Sequence, residues 1–237
     1  MELIKLKMKY LMIKILLIIL FSITCAAKIV VFEIDTGVQK GAHKQIDDHL
    51  PGITNQIDYK DDNNHGTHVA GIILKNVCKE VELQSCSYYF NKKPFDIFTI
   101  ECLKAALTIK PDVINISWGG PNPIAEEFEL LTKLSNNGTK IVVSAGNNNL
   151  NLLLGDYYPA KYNIKNLTPV GSLNKNGFKS SFSNYGLLNE VYESGEDIKS
   201  TLPNGKYGTM SGTSQATAAH VNKLLLEICK KLENKNN

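Results

Sequence analysis

The sequence predicts an α/β fold: a mainly parallel sheet with helices on both faces. Three observations carry this. Short β-branched runs recur, at Ile29–Ile34, Val113–Ile116 and Ile141–Val143, and read as buried strands. Between them, apolar residues repeat at helical spacing, as in Ile97, Ile100, Leu103, Ala106 and Leu107. The length, 237 residues, suits one domain with a sizeable core, and no repeat, low-complexity stretch or interdomain linker interrupts it.

Residues 1–27 read as a secretory signal peptide. A basic start is followed by the apolar run Ile15–Phe21 and by small residues up to Ala26 and Ala27, where cleavage is expected. Retention as an anchor is the alternative; the run is short for a membrane span, and Lys14 interrupts the longer version. Lys5, Lys7, Lys9 and Lys14 against Glu2 account for the whole formal net charge of +3. The remainder is neutral overall, so no nucleic-acid partner is expected.

The first strand spans 28–38 and closes on Asp35-Thr36-Gly37. A carboxylate at the C-terminal tip of a parallel strand stands where open α/β sheets collect their sites. A polar stretch over 39–64 follows, with Pro51-Gly52 marking a turn and with His43 and His49 expected to face solvent. A helix over 65–76 opens on His65-Gly66-Thr67-His68-Val69-Ala70-Gly71. A strand over 80–89 ends in Ser87-Tyr88-Tyr89-Phe90. Asp96 is expected to cap the next helix, which Pro111-Asp112 ends. Then come a strand over 113–117, a helix over 125–137 stopped by Gly138, and a strand over 140–145. Near the C-terminus, Gly208-Thr209-Met210-Ser211-Gly212-Thr213-Ser214 leads into a helix that runs through Leu232, with a frayed tail over 233–237.

Ser214 sits at a glycine-rich helix entry, where free backbone N–H groups favour an oxyanion. A serine that only caps the helix would use the same residue type. Asp35 and His65 supply what a nucleophilic serine needs: a base to take its proton and a carboxylate to orient that base.

These three motifs resemble the signatures of subtilisin-like serine proteases, the subtilases, and appear in the order Asp, His, Ser that the family uses. The resemblance continues through Ile114–Gly120, Val142–Asn147, Tyr158–Tyr162, Ser180–Gly186 and Ser200–Pro203, and so covers nearly everything from Lys28 onward. It implies a three-layer α/β/α sandwich for residues 28–237, acting as a secreted or periplasmic serine endopeptidase on polypeptides through an acyl-enzyme. Asp35, His65 and Ser214 would be the triad and Asn147 the oxyanion donor. Ser117, Trp118 and Gly119 would line the substrate, with Gly119 leaving room for a side chain and Trp118 forming a wall or plain core. No acidic residue marks a pocket base, so a broad apolar preference is expected. His68 would be structural. A catalytically silent binding module on the same fold is the second reading.

Departures from the family are few. Gln215 and Ala218 stand where Met and Pro are usual, and His220 is shifted one place from the usual histidine. Asp35 lies close behind the expected cleavage point, which leaves no room for a propeptide: the domain, expected to be a monomer, either folds unaided, is helped or inhibited by a partner acting in trans, or is a reduced form of the family. Asp47-Asp48 and Asp61-Asp62 are taken as solvated charges, and no metal or cofactor is expected. Beyond the leader, Cys78, Cys86, Cys102 and Cys229 lack zinc spacing, and both their pairing and whether they pair at all remain open.

Overall fold

A computed structural model describes residues 28–50, 61–87 and 95–236. The leader, Pro51-Gly52 and Tyr88-Tyr89-Phe90 lie outside the described residues. A six-stranded sheet runs in the order β2-β1-β3-β4-β5-β6, every neighbouring pair parallel. The strands are β1 (Ile29–Asp35), β2 (Val81–Ser87), β3 (Val113–Ile116), β4 (Lys140–Ser144), β5 (Leu167–Leu173) and β6 (Val191–Ser194). The antiparallel pair β7 (Ile198–Leu202) and β8 (Lys206–Met210) stands apart. The helices are α1 (Lys44–Asp47), α2 (His65–Ile73), α3 (Phe95–Ile109), α4 (Ala125–Asn136) and α5 (Thr213–Asn236).

The alternation of strand side chains builds three layers. Ile29 and Val31 of β1 face a core shared with Val69 of α2 and with Ala218, Val221 and Leu225 of α5. Phe32 and Ile34 face the other way, onto Leu103 and Ala106 of α3 and Leu130, Leu131 and Leu134 of α4. Both faces of β1 are therefore covered, which is why its sequence reads as a near-continuous apolar run. Burying each such side chain contributes about 1.5–3 kcal/mol. The chain leaves β1 for β2 on one side and reaches β3 on the other, so the sheet has its switch point at β1. Asp35 ends the strand there, where ligand crevices form.

Several local expectations are corrected. Helix α3 already begins at Phe95, which puts Asp96 inside its first turn instead of at its cap. Helix α5 continues to Asn236, through the tail expected to fray. His43 and His49 are half-buried: His43 Nε2 lies 2.9 Å from Leu202 O and 2.8 Å from Lys206 O, and His49 Nδ1 lies 2.8 Å from Val81 O. Both rings tie the polar stretch to distant backbone. The cysteines pair as Cys78–Cys229 and Cys86–Cys102, with Cα–Cα distances of 5.7 and 5.8 Å. The first bridge fastens the chain beyond α2 to the end half of α5; the second fastens β2 to α3.

Candidate active site

The strand end and the helix start are locked by close packing. A Cβ on Gly66 would stand 2.1 Å from Gly37 O, so only glycine lets α2 approach the turn after β1. Thr36 Oγ1 accepts from Gly66 N at 2.8 Å and donates to Asp61 Oδ1 at 2.9 Å. Asp61 in turn accepts from Asn64 N and Thr67 N, each at 2.8 Å, and so satisfies the first turn of α2, whose N-cap Asn64 provides no side-chain bond. Asp61 is 4% exposed, which corrects the expectation of a solvated charge. This framework holds His65 against Asp35: Nδ1 donates to Asp35 Oδ1 at 2.7 Å, and Thr36 N donates to the same oxygen at 2.7 Å. Burial pulls the imidazole pKa down, but the Asp35 charge, the hydrogen bond to Asp35 and the Asp61 charge together raise it above the ordinary 6.5.

Ser214 stands in the first turn of α5, nearly buried. Its hydroxyl donates to Ser117 O at 3.1 Å and makes no hydrogen bond to His65. The structure therefore forms the Asp–His link and holds the Ser214 hydroxyl on the residue that follows β3. Asn147 is anchored to the same helix entrance: its Oδ1 accepts from Thr213 N and Thr213 Oγ1, both at 2.9 Å. That leaves its Nδ2 as a free donor on the Gly212 side, where a built Gly212 Cβ would lie 3.5 Å away. Asn184, a residue not singled out from sequence, fixes the Asn147 loop by accepting from Asn148 N at 3.0 Å and Leu150 N at 2.8 Å, while donating to Ala145 O at 2.8 Å.

The substrate-lining residues divide. Ser117 meets the serine, as described. The Trp118 side chain is 7% exposed and belongs to the core over α3 and α4, the plainer of the two places expected for it. Gly119 was expected to leave room, and the room is taken. A Cβ there would lie 2.4 Å from Tyr157 Cε1, and one on Gly146 would lie 2.8 Å from Tyr157 Cζ. The Tyr157 ring thus packs against Gly119 and Gly146, beyond the ends of β3 and β4, on the space that Gly119 was expected to leave for a side chain. Only the resemblance of the following Tyr158–Tyr162 block placed Tyr157 near the site; its contact with Gly119 has no local sequence signal. His68 is fully buried and sets Nε2 at 3.0 Å from Ile198 O and 3.3 Å from Gly208 O. Burial holds it below the ordinary imidazole range, so it clamps the β7–β8 hairpin in its neutral form. Gln215 is buried, and His220 Nδ1 lies 3.3 Å from Glu193 Oε1. Among the described residues no group of His, Cys, Asp and Glu fits a metal ion.

Comparison with known proteins follows the geometry. Subtilisin of Bacillus pumilus is 34% identical over 178 residues, covering 71% of this chain and 63% of that one. The major intracellular serine protease of Bacillus subtilis is 35% identical over 179 residues, covering 68% and 53%. Subtilisin E of Bacillus subtilis is 33% identical over 178 residues, with 46% of its length matched. The chain thus spans about half the length of the curated relatives it matches. A solved cold-adapted subtilisin-like serine proteinase superposes with a TM-score of 0.74 at 28% identity, covering 86% of this chain and 76% of the other. The model of the subtilase family, Peptidase_S8, matches residues 27–234. On that match, and on a strand, helix and turn arrangement that the solved relative shares, the chain belongs to the subtilase family.

Proposed function

We propose that the protein is a serine endopeptidase in which Ser214 attacks the peptide carbonyl, His65 takes its proton and returns it to the leaving amine, and Asp35 holds the imidazole. The observation that carries this is the bond from His65 Nδ1 to Asp35 Oδ1, which leaves Nε2 as the acceptor the serine needs. An extended peptide would pair with the chain at 117–119. A peptide N–H reaching Ser117 O would compete with the Ser214 hydroxyl for that carbonyl and so release it toward His65. The tetrahedral oxyanion would take Asn147 Nδ2 and the Ser214 N–H at the start of α5. The Tyr157 ring against Gly119 and Gly146 supports a preference for small residues before the scissile bond. Export fits the leader pattern of residues 1–27 and the two disulfides. Among the described residues no helix is long and apolar enough to cross a membrane.

The test is labelling of the purified protein with a fluorophosphonate probe. Labelling is expected in the parent chain and lost in Ser214→Ala and in His65→Ala. A folded parent that stays unlabelled refutes the peptidase reading in favour of a silent binding module.

A further inference from the structure

Glu33 stands where the apolar sheet gives way to the site, and the chemistry above makes no use of it. It lies two residues before Asp35 on β1, so the two side chains share the face that α2 and α5 cover. Glu33 is 0% exposed, and neither carboxyl oxygen has a hydrogen-bond partner. The strand register places Ser85 of β2 on one side of it and Asn115 of β3 on the other. Ser85 Oγ, Asn115 Oδ1 and Asp35 Oδ2 are likewise buried without partners. The remaining atoms of these groups have partners: Asn115 Nδ2 gives one of its two N–H groups to Ser117 Oγ at 2.9 Å, and Asp35 Oδ1 serves His65 and Thr36.

Donor and acceptor capacity then decides the form of Glu33. Ionised, it would add only acceptors to a cluster whose remaining side-chain donors are the Ser85 hydroxyl and the second N–H of Asn115, and would put a second buried negative charge beside Asp35. Protonated, it adds a further donor, carries no charge, and leaves fewer buried acceptors unmet. We propose that Glu33 is a positioning residue for the Asp35–His65 pair: a neutral carboxylic acid whose O–H serves the Asp35 oxygen that the imidazole leaves free. The two groups are not in direct bonding contact here, so a rotamer adjustment or one enclosed water completes the link.

The surroundings agree. Burial, then the charges of Asp35 and Asp61, push the Glu33 carboxyl well above its ordinary range. The other titratable groups on this side are His65 and His68 of α2. The facing residues of β2, β3 and the first turns of α5 carry none.

The proposal rests on the peptidase reading, and two measurements on the full chain keep their failures apart. The first is the pH profile of kcat/KM for the parent, Glu33→Gln and Glu33→Met. Glutamine keeps a donor without charge, so its acidic limb should coincide with the parent's and its rate should stay within about threefold. Methionine removes the donor, leaving the Asp35 charge unshared. Its kcat/KM should fall about 10–100-fold and its acidic limb should move to higher pH, as His65 holds its proton more tightly. A limb that moves down in Glu33→Gln shows that the parent carries a negative charge there, and overturns the proposal. An unmoved limb in Glu33→Met makes Glu33 merely structural and overturns it as well. The second measurement needs no turnover. Infrared difference spectra between the parent and Glu33→Gln at neutral pH should show a protonated-carboxyl band in the parent alone, and its absence refutes the proposal. An inactive parent that shows the band refutes the peptidase reading and leaves the neutral acid standing.

Discussion

The two disulfides close rings of very different size, and that difference predicts an order of stability. Cys78 and Cys229 are separated by 151 residues, Cys86 and Cys102 by 16. Loop-closure entropy in the unfolded chain grows with the logarithm of ring size, giving about 5 kcal/mol for the larger ring and about 3 kcal/mol for the smaller. The perturbations are the double variants Cys78→Ala/Cys229→Ala and Cys86→Ala/Cys102→Ala. Alanine suits both sites, since Cys229 and Cys102 are buried among apolar neighbours. The assay is equilibrium urea unfolding followed by the fluorescence of Trp118, the sole tryptophan, whose buried side chain will report loss of the core. The larger ring should cost about 2 kcal/mol more than the smaller, with a larger m-value as its unfolded state expands. Equal losses, or a greater loss from the small ring, refute the loop-closure reasoning. A thiol titration of the denatured, unreduced chain that finds more free thiols than Cys25 supplies refutes the pairing itself.

Other consequences are tested one residue at a time. Burial pushes the Glu127 carboxyl from 4.5 to about 7, with the Tyr162 hydroxyl opposing it. Because the folded value is raised, this contribution is full below pH 4.5 and is lost as pH climbs through about 7. Glu127→Gln should therefore gain up to about 3 kcal/mol relative to the parent between about pH 4 and about pH 9, read by thermal or urea unfolding. Tyr157→Gly should open the cleft beside Gly119, raising kcat/KM for peptides with a large apolar residue before the scissile bond relative to alanine there; an unchanged ratio refutes the filled pocket. Since His65 is raised above 6.5, kcat/KM should fall as pH drops through a value above 6.5. Asp61→Asn removes one of the charges that raise it, so the limb should move down, and loss of the acceptor facing Thr67 N should cost about 1–3 kcal/mol of stability.

The layers were legible because strand and helix carry different periods, and the motifs behind the proposed triad stood out because each has its own backbone requirement. Gly66 is the clearest example: the reason for the glycine, the nearby Gly37 carbonyl, lies in the neighbouring motif. What escaped the sequence is polar and long-range. Asp61 looked like a loop charge because its partners, Thr36 and Thr67, are joined to it only by the fold. His43 finds its acceptors at Leu202 and Lys206, on a hairpin far along the chain. Trp118 follows a residue that faces the site, and strand alternation turns it to the core. The cysteine pairing depends on where α5 ends relative to the loop beyond α2, which no local pattern encodes.

The Cys78–Cys229 bridge also bears on how the proposed peptidase would survive its own chemistry. Asp35 and His65 lie before the bridged segment, while Asn147 and Ser214 lie within it. A single cut anywhere between the two cysteines opens the backbone but cannot separate the piece bearing His65 from the piece bearing Ser214. Autolysis at one surface loop would then yield a nicked, two-piece molecule that still holds its reacting groups in one body. Only reduction would let the halves part, making the redox state of the surroundings the limit on its working life.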